Sequence, residues 1–186
     1  EYHPSCWECL HRSYNLKKSL QNIFKVSDEN FNMTNYGQNY NRVAVMMRFL
    51  QHYIGEEKID KINQEYYQKW KFRHPQPNDY ISIFEKYHDE DLSMFFDNML
   101  NKATYIDYQI EKKGTEFYIT NLGTFNVPIE IAYYDNKGKE IVRSWLRKNA
   151  NHTKLDAPLN AVHASIDPDQ YMPDVNRTNN STNEIR

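Results

Sequence analysis

Near Thr104 the sequence changes period, and that change limits what the chain can fold into. Upstream, apolar residues recur three and four apart, the spacing of helices with one buried face. Downstream they alternate, or cluster in β-branched and aromatic runs, as strands do. The expected fold class is α+β. An antiparallel α-helical subdomain is expected over 1–104, a small antiparallel β-sandwich over 105–170, and a polar tail over 171–186 that ends in a frayed loop.

The strongest helical signal is Asn39–Gly55, NYNRVAVMMRFLQHYIG. Val43, Met46, Met47, Leu50 and Ile54 share its expected buried face. Arg42, Arg48 and Gln51 fall elsewhere and are expected to stay wet. Tyr40 sits in the first turn, and Gly55 is expected as a left-handed cap. A shorter helix is predicted over 14–26 from Leu16, Leu20, Ile23 and Phe24, with a loop over 27–38 rich in Asn and Asp. Glu56–Phe72 follows as a helix with Ile59, Ile62, Tyr66 and Trp70 inward. His74-Pro75-Gln76-Pro77 breaks it. Asn78 is the expected cap of Asp79–Tyr87, with Ile81 and Phe84 inward. Asp91 is the expected cap of Leu92–Asn101, with Leu92, Phe95, Phe96, Met99 and Leu100 inward. Strands are expected at 104–113, 115–122, 127–135, 140–146 and 157–167, with turns at Gly114, Asn121-Leu-Gly123 and Asn136-Lys-Gly138.

The chain of 186 residues is 39% hydrophobic with 15 tyrosines, which supplies a core and argues against disorder. A mean hydropathy of −0.91 predicts a strongly soluble chain. No apolar run reaches the length of a membrane span. A net charge of −2 with dispersed Lys and Arg argues against nucleic acid as a partner. The chain opens EYHPSCWECLH, without Met or an apolar leader core, so a fragment or processed product is expected. Cys6 and Cys9 give no disulfide framework. Flanked by His3 and His11, they could bind zinc or act in redox chemistry. Two small buried thiols on a helical turn is the favoured reading, because structural zinc sites usually draw a second, distant ligand pair. WECLH at 7–11 carries Trp where an H-E-x-x-H zinc motif has its first His, and reads as coincidence. The N-x-S/T triplets at Asn151 and Asn176 are short enough to arise by chance.

Three stretches together resemble one family. YNRVAVMMRFLQHYIG, Tyr40 to Gly55, resembles the Y-x-K-G-x-x-x-x-x-x-L-x-x-x-x-G helix of the aminopeptidase N-like (membrane alanyl aminopeptidase) gluzincin zinc metallopeptidases. Arg42 stands for that family's Lys, Leu50 for its Leu and Gly55 for its Gly. KWKFRHPQPNDYISIFEKYHDEDLSMFFDNML is similar to the family's later helical run. IDPDQYMPDVNRTNN resembles the end of the β-sandwich that follows the catalytic domain in bacterial members. The likeness covers most of residues 36 to 180. Two departures stand out: Val43 replaces the family's Gly, and Met99 its terminal Trp.

The resemblance implies a zinc-dependent aminopeptidase cleaving N-terminal peptide bonds, extracytoplasmic in bacteria, with Tyr40 as a catalytic residue. The zinc motif, its later glutamate and the G-x-M-E-N segment are absent and are expected upstream of Glu1. Zinc and peptide substrate would then belong to a longer protein, and this chain alone is expected to be inactive. The alternative is a non-catalytic helical plus β-sandwich interaction module.

Overall fold

The structure is a computed structural model that describes residues 33–101, 104–147 and 151–183, with side chains from 41 to 98 in the helical region. The expected helix over 14–26, with His3, Cys6, Cys9 and His11, lies outside the described residues. Helices and two small antiparallel sheets give the α+β fold expected. The described residues form two compact units, one within 33–101 and one from Thr104 onward.

In the helical unit, α1 spans Met33–Ile54, α2 Glu56–Trp70, α3 Pro77–Tyr87 and α4 Ser93–Asn101. α1 begins at Met33, so the second half of the expected 27–38 loop is helical. Extending a nucleated helix adds one hydrogen bond per residue fixed, so a few poor helix formers do not stop it. Gly55 is not a left-handed cap. It takes φ 98, ψ 142, a conformation open essentially to glycine alone. Its N–H donates to the Gln51 carbonyl at 2.8 Å, and its own carbonyl accepts from Ile59 N at 3.2 Å. One residue therefore closes α1 and opens α2. At α3 the expected Asn78 cap moves to Gln76, because Pro77 fits the first helical position, where no N–H is needed. Asp79 accepts from Gln76 N at 2.8 Å. Asp91 accepts from Ser93 N at 2.8 Å just before α4, one residue ahead of the cap position expected for it, and hydrogen bonds from the Ser93 side chain and then its backbone hold its carboxyl below the usual range.

The buried stripe of α1 is Arg42, Val45, Met46, Phe49, Leu50 and Ile54, rotated from the expected one. Val43 and Met47 are only half-buried. On α3, Ile83 rather than Ile81 joins Phe84 inside. α1 packs on α2 and α4, and α2 on α3. A line of six rings runs through all four helices. Phe49 meets Phe95 at 6.2 Å, Phe95 meets Phe96 at 5.7 Å, and Phe96 meets Phe84 at 5.2 Å. Phe84 then meets Tyr80 at 5.0 Å, and Tyr80 meets Tyr66 at 4.8 Å. Most of these contacts are edge-to-face, the arrangement the ring quadrupoles favour.

In the sheet unit, β1 (Tyr108–Lys113), β2 (Glu116–Asn121) and β5 (His152–Lys154) form one sheet in the order β1-β2-β5. β3 (Ile129–Tyr134), β4 (Glu140–Leu146) and β6 (His163–Ile166) form the other, in the order β4-β3-β6. Every pairing within them is antiparallel. In β1 and β2 the alternate residues Tyr108, Ile110, Phe117 and Ile119 are buried, whereas β3 is buried continuously from Ile129 to Tyr133. Phe117 and Tyr133 meet edge-on at 5.8 Å and join the two sheets. The strand expected over 157–167 shortens to β6, because Pro158 to Ala161 closes a turn through Ala161 N and the Pro158 carbonyl. β5 was not expected; three residues carry no readable period. The end of the chain is not frayed through residue 183. Met172, Asp174 and Asn180 are buried, and bridges pair Ile106 with Asp174 and Ser165 with Ser181.

Candidate functional site

Tyr40 lies in α1 but not in its first turn as expected, since the helix starts at Met33 and Tyr40 is its eighth residue; its side chain is outside those described. Each residue turns a helix by about 100°. Position 40 therefore falls roughly 120–180° around the axis from Arg42, Val45, Met46 and Phe49, and within roughly 60° of Val43, Ala44 and Met47. The first set is buried and the second is half-buried or exposed. In this part of α1 the buried residues therefore lie mostly opposite position 40, whereas further along the buried stripe turns toward that side at Leu50 and Ile54.

Arg42 does not stay wet as expected. It is 3% exposed, and its Nη2 donates to the Asn98 carbonyl at 2.9 Å. Asn98 lies in the last turn of α4, at the negative end of the helix dipole, where a guanidinium is favoured. The Asn98 side chain donates back to Met94 O at 2.7 Å.

At the other end of α1, Tyr53 donates its hydroxyl to Glu90. The His88 ring lies edge-on to Tyr53 at 5.7 Å, with Nε2 3.7 Å from the same carboxylate oxygen. No sequence motif marked this cluster, since Tyr53 and Glu90 stand 37 residues apart.

In the sheet unit Glu130 on β3 is buried beside Arg143 at 3.7 Å, and two further carboxylates are buried. Asp167 accepts from Tyr171 N at 2.9 Å and Met172 N at 2.8 Å, and pairs with Arg177 at 3.2 Å. Asp174 accepts from Tyr108 N at 2.9 Å and Asn176 N at 2.7 Å. Burial pushes each up to about 6, against the lowering effect of these donors. Their partners are mostly backbone N–H groups, which makes them structural rather than reactive.

Among the described residues, no group of three or more His, Cys, Asp or Glu is placed to hold a metal ion. No described helix is long and apolar enough to cross a membrane.

No family model and no curated protein matches the sequence. The fold is similar to the crystal structure of Legionella pneumophila aminopeptidase A in complex with aspartic acid. The TM-score is 0.56 over 87% of this chain, at 13% sequence identity. The match covers 21% of that chain, so this chain spans about a fifth of the length of the aminopeptidase it resembles in fold.

Proposed function

We propose that this chain is the part of a zinc-dependent aminopeptidase that follows its metal-binding segment, and that Tyr40 is its oxyanion donor. The observation that carries this reading is the placement of position 40 on α1, roughly opposite the packed Arg42, Val45, Met46 and Phe49. The likeness in fold to part of an aminopeptidase supports the same reading.

When a peptide carbonyl is attacked by water, negative charge grows on its oxygen. A phenol with an ordinary pKa of about 10 stays protonated at neutral pH and can donate to that oxygen. Held on a packed helix, it needs little reorganisation as the charge appears. Zinc, in such an enzyme, polarises the carbonyl and activates the water. In this reading the zinc ligands belong to a longer protein, and this chain alone is expected to be inactive.

The test uses a longer protein that carries a zinc motif, assayed for metal-dependent release of N-terminal residues. Because the Legionella enzyme was crystallised with aspartic acid, substrates with an acidic first residue are tried first. Tyr40→Phe should lower kcat by about 10²–10³, the loss expected for one oxyanion donor, with little change in KM. Unchanged turnover would remove Tyr40 from the mechanism. Val43, half-buried where the family has Gly, favours the interaction-module alternative; a parent protein without H-E-x-x-H would support it.

A further inference from the structure

The geometry points to Arg42 as a positioning residue that holds the turn of α1 carrying Tyr40. This deepens the aminopeptidase reading and rests on it for the link to catalysis, but not for the clamp itself.

Arg42 is two residues from Tyr40 and, among the described side chains of α1, lies nearest to it on the buried stripe. Its guanidinium reaches across to the Asn98 carbonyl at the end of α4, 56 residues along the chain. Around the helix the two positions are roughly 160° apart. The clamp therefore acts from the opposite side of the helix, fixing the turn that carries position 40. The next anchors along the stripe, Val45, Met46 and Phe49, are apolar and lie further from Tyr40. Apolar packing is non-directional, whereas a hydrogen bond to a helix-end carbonyl fixes distance and rotation together. A donor to an oxyanion must be held to within about half an ångström, so this bond can govern turnover without touching substrate.

The clamp is tested in this chain by amide hydrogen exchange. Arg42→Met keeps length and apolar stem but removes the donor. Exchange over 38–46 should rise about tenfold, with α2 and α3 unaffected, because local opening is set by local contacts. Arg42→Lys keeps one charged donor and should lie between Met and the parent. It also carries the comparison if Arg42→Met fails to fold. No change over 38–46, or an equal rise in α2 and α3, overturns the clamp.

The catalytic link is tested in the longer protein. Arg42→Met should lower kcat about tenfold with KM nearly unchanged, and Arg42→Lys should recover most of it. Loss of melting temperature with kcat unchanged overturns the positioning role. If Tyr40→Phe leaves turnover intact while Arg42→Met still frees 38–46, the Tyr40 reading fails and the clamp stands.

Discussion

The helical and sheet units bury different polar groups, and the difference follows from how each satisfies its backbone. A helix pairs its own N–H and C=O groups except at the ends. The helical unit's buried charge, among the described residues, is accordingly a cation at a helix end, Arg42 against Asn98. The sheet unit closes with an irregular segment over 167–183 that has few ladder partners. Its N–H groups need acceptors: buried Asp167 accepts from Tyr171 and Met172, and buried Asp174 accepts from Asn176 and also ties the segment to Tyr108 N of β1. Regular structure here is held mainly by apolar packing, although β3 also buries Glu130, whereas the irregular segment leans on its carboxylates. Those carboxylates make the sheet unit sensitive to protons.

The sharpest way to break that comparison is to remove the helical core's central ring. Phe84 is fully buried and touches both Tyr80 and Phe96. Phe84→Ala should cost about 3–5 kcal/mol, transfer and cavity together. Denaturant unfolding followed by helical circular dichroism measures it. A loss under about 1 kcal/mol would mean the ring line is not what holds the four helices.

A smaller effect should appear in the sheet unit with pH. Asp167 and Asp174 rise from an ordinary 3.8 to about 6 on folding. Between those values the folded chain binds more protons than the unfolded one. Stability therefore falls as pH rises from about 4 to about 6, and the loss is complete above that. From about pH 5 to pH 7 the two groups together should remove on the order of 2–3 kcal/mol. Urea unfolding at the two pH values reads it, and Asp174→Asn should flatten the slope. A sheet unit that grows more stable over this interval would mean the donors outweigh the burial.

The same contrast explains what could be read in advance. Helices and strands were legible because their periods are written locally, three apart in Ile59 and Ile62, two apart in Phe117 and Ile119. The face of α1 was not, because VAVMMRFL is apolar almost all the way round, so several stripes fit equally. Which one is buried depends on Arg42 finding a carbonyl 56 residues away. The C-terminal segment read as a frayed tail because Asp174 looks solvated until its partner, Tyr108 N, is brought from 66 residues upstream. Tyr40 was assigned a role by resemblance alone; its helix was written in the local pattern, but its place relative to the buried stripe emerged only when that stripe was known.

The smallest expected effect separates two glycines, one in each unit. At Gly123 a Cβ would lie 2.7 Å from Asp107 N and Tyr105 O, backbone atoms that cannot swing aside. At Gly55 a Cβ would meet nothing within 4 Å, so the only obstacle is conformational, φ 98 with ψ 142. Gly55→Ala should therefore cost about 1–2 kcal/mol, strain without a clash. The angle between α1 and α2 can relax part of that strain, since the residue joins two helices and is not enclosed by them. Gly123→Ala has no such release and should cost more, read as the difference between the two denaturation midpoints. Equal costs would mean that the joint after α1 is as rigidly held as the sheet unit's closest backbone approach, and the contrast between a packed helical unit and a tied sheet unit would lose its force there.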